Sequence, residues 1–165
     1  MKILVMSDSH SGIHFMRRCV ATVKPQAIVH LGDHFDDGET IAREFPHIRV
    51  HQVPGNCDAW RMIRYEPAVK CYDVGGARLF MTHGHEHSVK QTLVRLLKDA
   101  RSMGAKAALY GHTHVADCHR EADGLWVLNP GACGSSGGSV GLIETENGEI
   151  TAVRILRQSD LEEML

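Results

Sequence analysis

The sequence predicts an α/β sandwich, two facing mixed β-sheets with helices outside, in a single domain covering residues 1–165. Three observations carry that expectation. Strand and helix signals alternate through the first half, as in βαβ units joined by right-handed crossovers. A Gly75-Gly76 pair then separates two strand-like runs, a hairpin signal. The remainder is a series of short strand-like runs broken by Gly- and Asn-containing turns.

The elements follow in order. Residues 2–6 are a continuous apolar run, as expected for a strand buried on both faces. Residues 12–23 place Ile13, Met16, Val20 and Val23 near helical spacing, and Pro25 closes the element. Residues 27–31 form a second buried strand. Residues 38–45 read as a short helix ended before Pro46, with Asp36 and Asp37 as its capping residues. Residues 48–53 alternate like a third strand. Residues 68–74 and 77–82 are the arms of the hairpin. Residues 88–102 give the strongest helical pattern, with Val89, Leu93, Leu96, Leu97 and Ala100 on one face. Residues 107–110, 115–120, 125–128, 140–144 and 150–156 complete the strands, and those after residue 114 are expected to pair antiparallel.

The bulk properties exclude several classes. Hydrophobic residues make up 43% and charged residues 23%, and the chain is long enough to bury a core. The net charge is −2 with no basic block, which argues against nucleic acid as a partner. No apolar run reaches membrane-spanning length, and no signal-peptide pattern is present. Five cysteines lie scattered without paired spacing, so reduced thiols and a cytoplasmic setting are expected. The unusual count is that of histidine, twelve in all.

Several of those histidines fall in short polar clusters that follow apolar runs. Asp8-Ser9-His10 follows the first strand, Gly32-Asp33 the second and Gly55-Asn56-Cys57-Asp58 the third. Thr82-His83-Gly84-His85 follows the hairpin, and Gly111-His112-Thr113-His114 follows the strand ending at Tyr110. In open α/β sheets, sites form beyond the carboxyl ends of parallel strands, so these clusters are expected to share one rim. Residues two apart in extended backbone point the same way, which would let Asp8 with His10, and His112 with His114, aim at one point. Glycines 32, 55, 84 and 111 would let the backbone turn beside them.

Two carboxylates, four imidazoles and one amide are then available. Mixed nitrogen and oxygen donors suit Mn²⁺, Fe, Zn²⁺, Co²⁺ or Ni²⁺ rather than Ca²⁺. Seven ligands exceed what one transition ion with an open position needs, and they fit two ions sharing a carboxylate. Two divalent ions against two carboxylates and a bridging hydroxide leave a small positive excess, suited to a phosphate ester.

The ordered set Asp8-Ser9-His10, Gly32-Asp33, Gly55-Asn56-Cys57-Asp58, His83-Gly84-His85 and Gly111-His112-Thr113-His114 resembles the calcineurin-like metallophosphoesterase superfamily. The likeness runs from Met1 to about Gly134. The small size, the Asn-Cys-Asp variant and Asn129-Pro130-Gly131 resemble its compact YfcE-like phosphodiesterases. The resemblance implies that Asp8, His10 and His114 hold one divalent ion, that Asn56, His83 and His112 hold a second, and that Asp33 bridges them. It implies Mn²⁺ as the first candidate, a bridging hydroxide as nucleophile and Asn56 as a further contact to the substrate's phosphate.

Cys57 departs from that family's pattern, where a histidine stands to protonate the leaving group. A thiol is a poorer acid at neutral pH and a weaker donor. His85 is a substitute candidate. Asp58 is expected to orient neighbours rather than act. Arg61, Arg64 and Tyr65 follow the Asn56 motif and are candidates to touch the substrate. The absence of a long insertion between motifs predicts a shallow, open site for small phosphate esters. The leading expectation is a phosphodiesterase. The alternatives are a phosphomonoesterase or nucleotidase on the same site, and a non-catalytic interaction scaffold. A homodimer or higher homo-oligomer is left open.

Overall fold

The computed structural model describes residues 1–60, 62–134 and 137–164. The first sheet is built from β1 (Lys2–Met6), β2 (Ala27–His30) and β3 (Arg49–Gln52), which run parallel, with α1 (Ile13–Val23) and α2 (Phe35–Glu44) as crossovers. Two later strands, β9 (Ser139–Glu146) and β10 (Glu149–Arg157), extend it antiparallel on the other side of β1, giving the order β10-β9-β1-β2-β3.

The second sheet holds β4 (Val69–Val74), β5 (Ala77–Thr82), β6 (Ala107–Leu109), β7 (Asp117–Arg120) and β8 (Trp126–Asn129), in the order β4-β5-β6-β8-β7. Helix α3 (Val94–Ser102) links β5 to β6, and α4 (Gln158–Glu163) closes the described chain. No helix among the described residues is long and apolar enough to cross a membrane.

Alternation along β1 shows why its whole run is apolar. Ile3 and Val5 point between the sheets, where they pack with Val29, Leu79, Met81 and Leu109. Leu4 and Met6 point outward, under Met16 and Val20 of α1, Ile41 of α2 and Leu161 of α4. A fully buried aliphatic side chain contributes about 1.5–3 kcal/mol, so both faces of this strand are strongly fixed. The outer face of the second sheet is thinner. Phe80, Ala108 and Val127 there meet Leu96 and Ala100 of α3.

Three expectations need correction, and one helix adds to them. The helix expected over residues 88–102 starts only at Val94. A 3-10 turn at His85–His87 and a left-handed Ser88, with φ of 55°, fill the space before it. Val89 is buried all the same, from a loop, which is why its spacing looked helical. Helix α2 begins at Phe35, so Asp36 and Asp37 lie in its first turn rather than capping it. They suit the positive end of the helix dipole there. The strands after residue 114 do not all pair antiparallel, because β7 goes to the sheet edge and β8 returns beside β6 in parallel. Helix α4 was not foreseen; its first turn is closed by Asp160, whose carboxylate accepts the Arg157 N–H at 2.7 Å.

Candidate metal centre

Parallel β1, β2 and β3 end on one rim, and β5 and β6, parallel to each other, carry the remaining clusters. The two sheets meet there directly, since the His83 ring after β5 reaches the Leu31 carbonyl after β2 at 2.7 Å.

The rim backbone is left-handed, not extended. φ is 53° at Asp8, 41° at His10, 58° at Asp33, 69° at His112 and 62° at His114. The expected strand-like alternation of Asp8 with His10, and of His112 with His114, is therefore corrected. These side chains converge through turns. Each such residue costs about 1–2 kcal/mol in an ordinary chain. Hydrogen bonds between loops hold them: Asp8 N–H donates to the Gly32 carbonyl at 3.0 Å, and Gly111 N–H to the His83 carbonyl at 2.9 Å. Close approach explains two glycines. A Cβ on Gly55 would strike the Asp33 carboxylate, and one on Gly111 would strike the Ser7 hydroxyl.

Asp8 is fully buried. Its Oδ2 accepts hydrogen bonds from Ser7 Oγ at 2.6 Å and from His112 N–H at 3.1 Å. Its Oδ1 has no hydrogen-bond partner and lies 3.1 Å from His114 Nε2. Asp33 Oδ1 accepts the Cys57 N–H at 3.0 Å, and Oδ2 lies 3.8 Å from His10 Nε2. Burial pushes the Asp33 carboxyl up, but His83 and the Cys57 N–H outweigh it and hold it below its ordinary range. Asp8, His10, Asp33 and His114 each offer one ligand atom, all within 4.8 Å of one another.

His83 supplies the test of whether a cation fits. A carbonyl only accepts, so the ring donates from Nδ1 to Leu31, and a neutral imidazole then presents its Nε2 lone pair. That Nε2 is buried with no hydrogen-bond partner. It faces Asp33 Oδ1 at 3.6 Å and Asp8 Oδ1 at 3.9 Å. A lone pair and two carboxylate oxygens turned on one another in a buried site repel, so a positive charge belongs between them: a proton on Nε2, or a metal ion that takes its place. The donor set suits a transition ion.

His112 and His85 adjoin this cluster. The His112 ring is 5.0 Å from that of His83, and the His85 ring is 5.5 Å from His83 and 6.1 Å from His112. The pair at 112 and 114 is thus divided, His114 beside Asp8 and His112 beside His83. Burial and then His83 lower the proton affinity of both His85 and, with Lys90, His112. Asn56 is exposed, and its amide meets the Cys57 sulfur at 3.7 Å. Burial, then Asp33, pushes the Cys57 thiol up, so it stays protonated at neutral pH. Arg64 is bound to Glu39 at 3.2 Å and Glu66 at 2.9 Å, and Tyr65 is exposed. Arg61 lies outside the described residues.

The contacts of three supporting residues were not legible in the sequence, and one of them, His30, gave no warning there. Asp58 accepts the N–H groups of Asp33 and Gly55 through Oδ2, at 2.9 and 2.8 Å, and that of Phe35 through Oδ1 at 2.9 Å. It orients, as expected, and the contacts show how: it ties the Asp33 loop to the Asn56 loop. His30, at the end of β2, is fully buried and meets Ser9 Oγ at 3.0 Å. Ser9 Oγ donates in turn to the Asp33 carbonyl at 3.2 Å. Burial lowers the His30 pKa to about 4. Asn129 donates to the Gly111 carbonyl and to Thr113 Oγ1, fixing the loop that carries His112 and His114. The sequence pointed to Asn129 only through the resemblance of Asn129-Pro130-Gly131, which gave it no role.

The calcineurin-like phosphoesterase superfamily domain matches residues 1–148. The chain belongs to that superfamily. It is 32% identical over 133 residues to the probable metallophosphoesterase YsnB of Bacillus subtilis, covering 80% of this chain and 75% of that one. Among solved structures it is similar to a predicted phosphoesterase of Streptococcus pneumoniae, with 28% identity, a TM-score of 0.72 and coverage of 96% and 90%. It also shares the fold of Vps29 from Entamoeba histolytica, complexed with zinc, at 20% identity and a TM-score of 0.70, covering 95% and 98%. Metallophosphoesterases hydrolyse phosphate esters with divalent metal ions, and four of this chain's candidate ligands, Asp8, His10, Asp33 and His114, lie together in the cluster described above.

Proposed function

We propose that this protein is a divalent-metal-dependent phosphodiesterase. In this reading Asp8, His10 and His114 hold one ion, His83, His112 and Asn56 a second, and Asp33 bridges them. The observation that carries it is the buried His83 Nε2 turned on Asp8 and Asp33 without a partner. Divalent ions at such ligands, Mn²⁺ first and Fe, Zn²⁺, Co²⁺ or Ni²⁺ next, supply an activated water and positive charge for the phosphoryl oxygens.

The chain's own groups do the positioning. Ser7 and the His112 N–H fix Asp8 Oδ2, which leaves Oδ1 aimed at the centre. The Leu31 carbonyl fixes the His83 tautomer. Cys57 N–H and Asp58 hold Asp33 from two sides. Cys57 reaches the centre as a neutral thiol, able to give a proton but weakly. The Arg64 guanidinium is taken up by Glu39 and Glu66, which supports a singly charged diester over a doubly charged monoester. The five free thiols support a reducing, cytoplasmic setting.

The test is kinetic. Bis(p-nitrophenyl) phosphate and p-nitrophenyl phosphate share a leaving group, and the Mn²⁺-loaded protein is expected to prefer the diester in kcat/KM. Preference for the monoester would make it a phosphomonoesterase or nucleotidase. A second reading, an interaction scaffold, draws on exposed Trp60, Ile63 and Tyr65 beside the centre and on the Vps29 fold. Hydrolysis of neither ester with any of the five metals would favour it.

A further inference from the structure

Among the described residues, exposed large apolar side chains are otherwise scattered singly, but three stand within six residues at Trp60, Ile63 and Tyr65, exposed by 77%, 104% and 89%. They belong to the segment that leaves the Asn56 loop and runs to β4. Single exposed apolar residues need no explanation, whereas a cluster next to a reaction centre does.

Under this segment lies a groove of about 530 Å³, lined by Gly55, Ala59, Met62, Ile63, Tyr65 and His85, among others. That volume is in the range of small-molecule sites, roughly 300–1,000 Å³. One end is continuous with the metal centre, since Gly55 precedes Asn56 and the His85 ring is 5.5 Å from that of His83. His85 Nδ1 is buried there without a hydrogen-bond partner. Among its polar and charged lining residues stand a methionine thioether, that of Met62, and at the rim the exposed Tyr65 ring, both good partners for a flat π-system. The guanidinium in the lining, that of Arg64, is bound by Glu39 and Glu66, and Glu86 adds a further acidic group. Among the described residues, the groove therefore offers no unpaired guanidinium to an anion.

We propose that this groove is the leaving-group subsite of the phosphoesterase centre and takes the uncharged, planar aromatic part of the departing alcohol. The inference rests on the phosphodiesterase reading. Hydrolysis forms a P–O bond to water and breaks the P–O bond to that alcohol, which leaves with a proton. The groove binds the ring of the alcohol before and after the break, while the charged phosphoryl group stays at the metals.

Two measurements test it. In the first, ring protons of benzyl alcohol and of adenosine are followed by saturation-transfer NMR on the full-length, metal-free protein, with cyclohexylmethanol as the non-aromatic control. Transfer to a ring above the control is expected, and its loss in the Ile63→Ser/Tyr65→Ser variant. Stronger transfer to adenosine assigns the ring to a nucleoside, and stronger transfer to benzyl alcohol to a simple aromatic alcohol. In the second, the Mn²⁺-loaded protein is assayed on bis(p-nitrophenyl) phosphate and on bis(hexafluoroisopropyl) phosphate, whose leaving alcohol is acidic but not aromatic. The ratio of the two kcat/KM values is expected to fall about tenfold in the double variant, the loss of one aromatic contact. No ring transfer above the control, or an unchanged ratio, overturns the subsite. Hydrolysis without ring transfer removes the groove and keeps the phosphodiesterase; ring transfer without hydrolysis under any metal keeps an aromatic-binding groove but overturns both the phosphodiesterase and the groove's role as its leaving-group subsite.

Discussion

Replacing Asp58 by Asn keeps the shape of the side chain and removes its charge. Asp58 accepts three backbone N–H groups, two through Oδ2 from Asp33 and Gly55 and one through Oδ1 from Phe35. An amide has one oxygen, and its best orientation keeps the pair at Oδ2. Its NH₂ then meets the Phe35 N–H, donor against donor, in a buried place. A hydrogen bond to a charged group is worth about 1.5–3 kcal/mol against about 1 for a neutral one. Losing one bond and weakening two gives about 4 kcal/mol. Domains of this kind are stable by about 5–15 kcal/mol, so the variant folds. With a urea slope of about 2.5 kcal/mol per molar, the midpoint falls by roughly 1.5 M. The same change loosens the Asp33 loop against the Asn56 loop, so Mn²⁺ affinity measured by calorimetry drops as well. Urea melts of the metal-free protein and calorimetry on the folded variant read both. A midpoint within about 0.2 M of wild type would refute the assignment, because a tie worth less than about 0.5 kcal/mol holds nothing.

Three further outcomes are expected. Asp33→Asn abolishes diester hydrolysis and lowers metal stoichiometry by elemental analysis; two retained ions with full turnover would sink its bridging role. Cys57→His keeps or raises kcat on alkyl esters, which have poor leaving groups, whereas a large loss would show the thiol to be a packing residue. His30 is held at a pKa of about 4 when folded, below the ordinary 6.5, so the unfolded chain binds more protons between these values. Metal-free stability therefore falls as pH drops from about 6.5 toward about 4, by at most about 1.4 kcal/mol per pH unit from this group. In His30→Gln that slope shrinks; an identical pH profile would mean His30 is already charged in the fold.

Burial on both faces made β1 and β2 legible as unbroken apolar runs, and the polar residue after each run marked the rim. Local spacing could not show what lies across the rim. The Leu31 carbonyl that sets the His83 tautomer is 52 positions away in the chain, and any residue type could provide it. Asp58 looked like the end of a motif, but its three acceptor bonds depend on how two loops pack. The excess length read into α3 has the same origin. Val89 shares the apolar face of Leu96 and Ala100 because it is buried with them, while Ser88, left-handed, cannot continue a helix. Helix α4 was missed because six residues with a single buried position, Leu161, make no period.

The left-handed turns at Asp8, His10, Asp33, His112 and His114 are held by the sheets and their hydrogen bonds. The cost of those turns is met by the core and by these hydrogen bonds, so the protein's own contacts shape the loops. Exchange of one transition metal for another then needs no rebuilding of the rim. Discrimination falls to donor chemistry alone, and nitrogen and oxygen donors rank such ions by a general order that favours whichever tight binder is abundant. In the proposed reading, the metal content of a preparation is expected to follow its supply, and the growth medium becomes part of the assay.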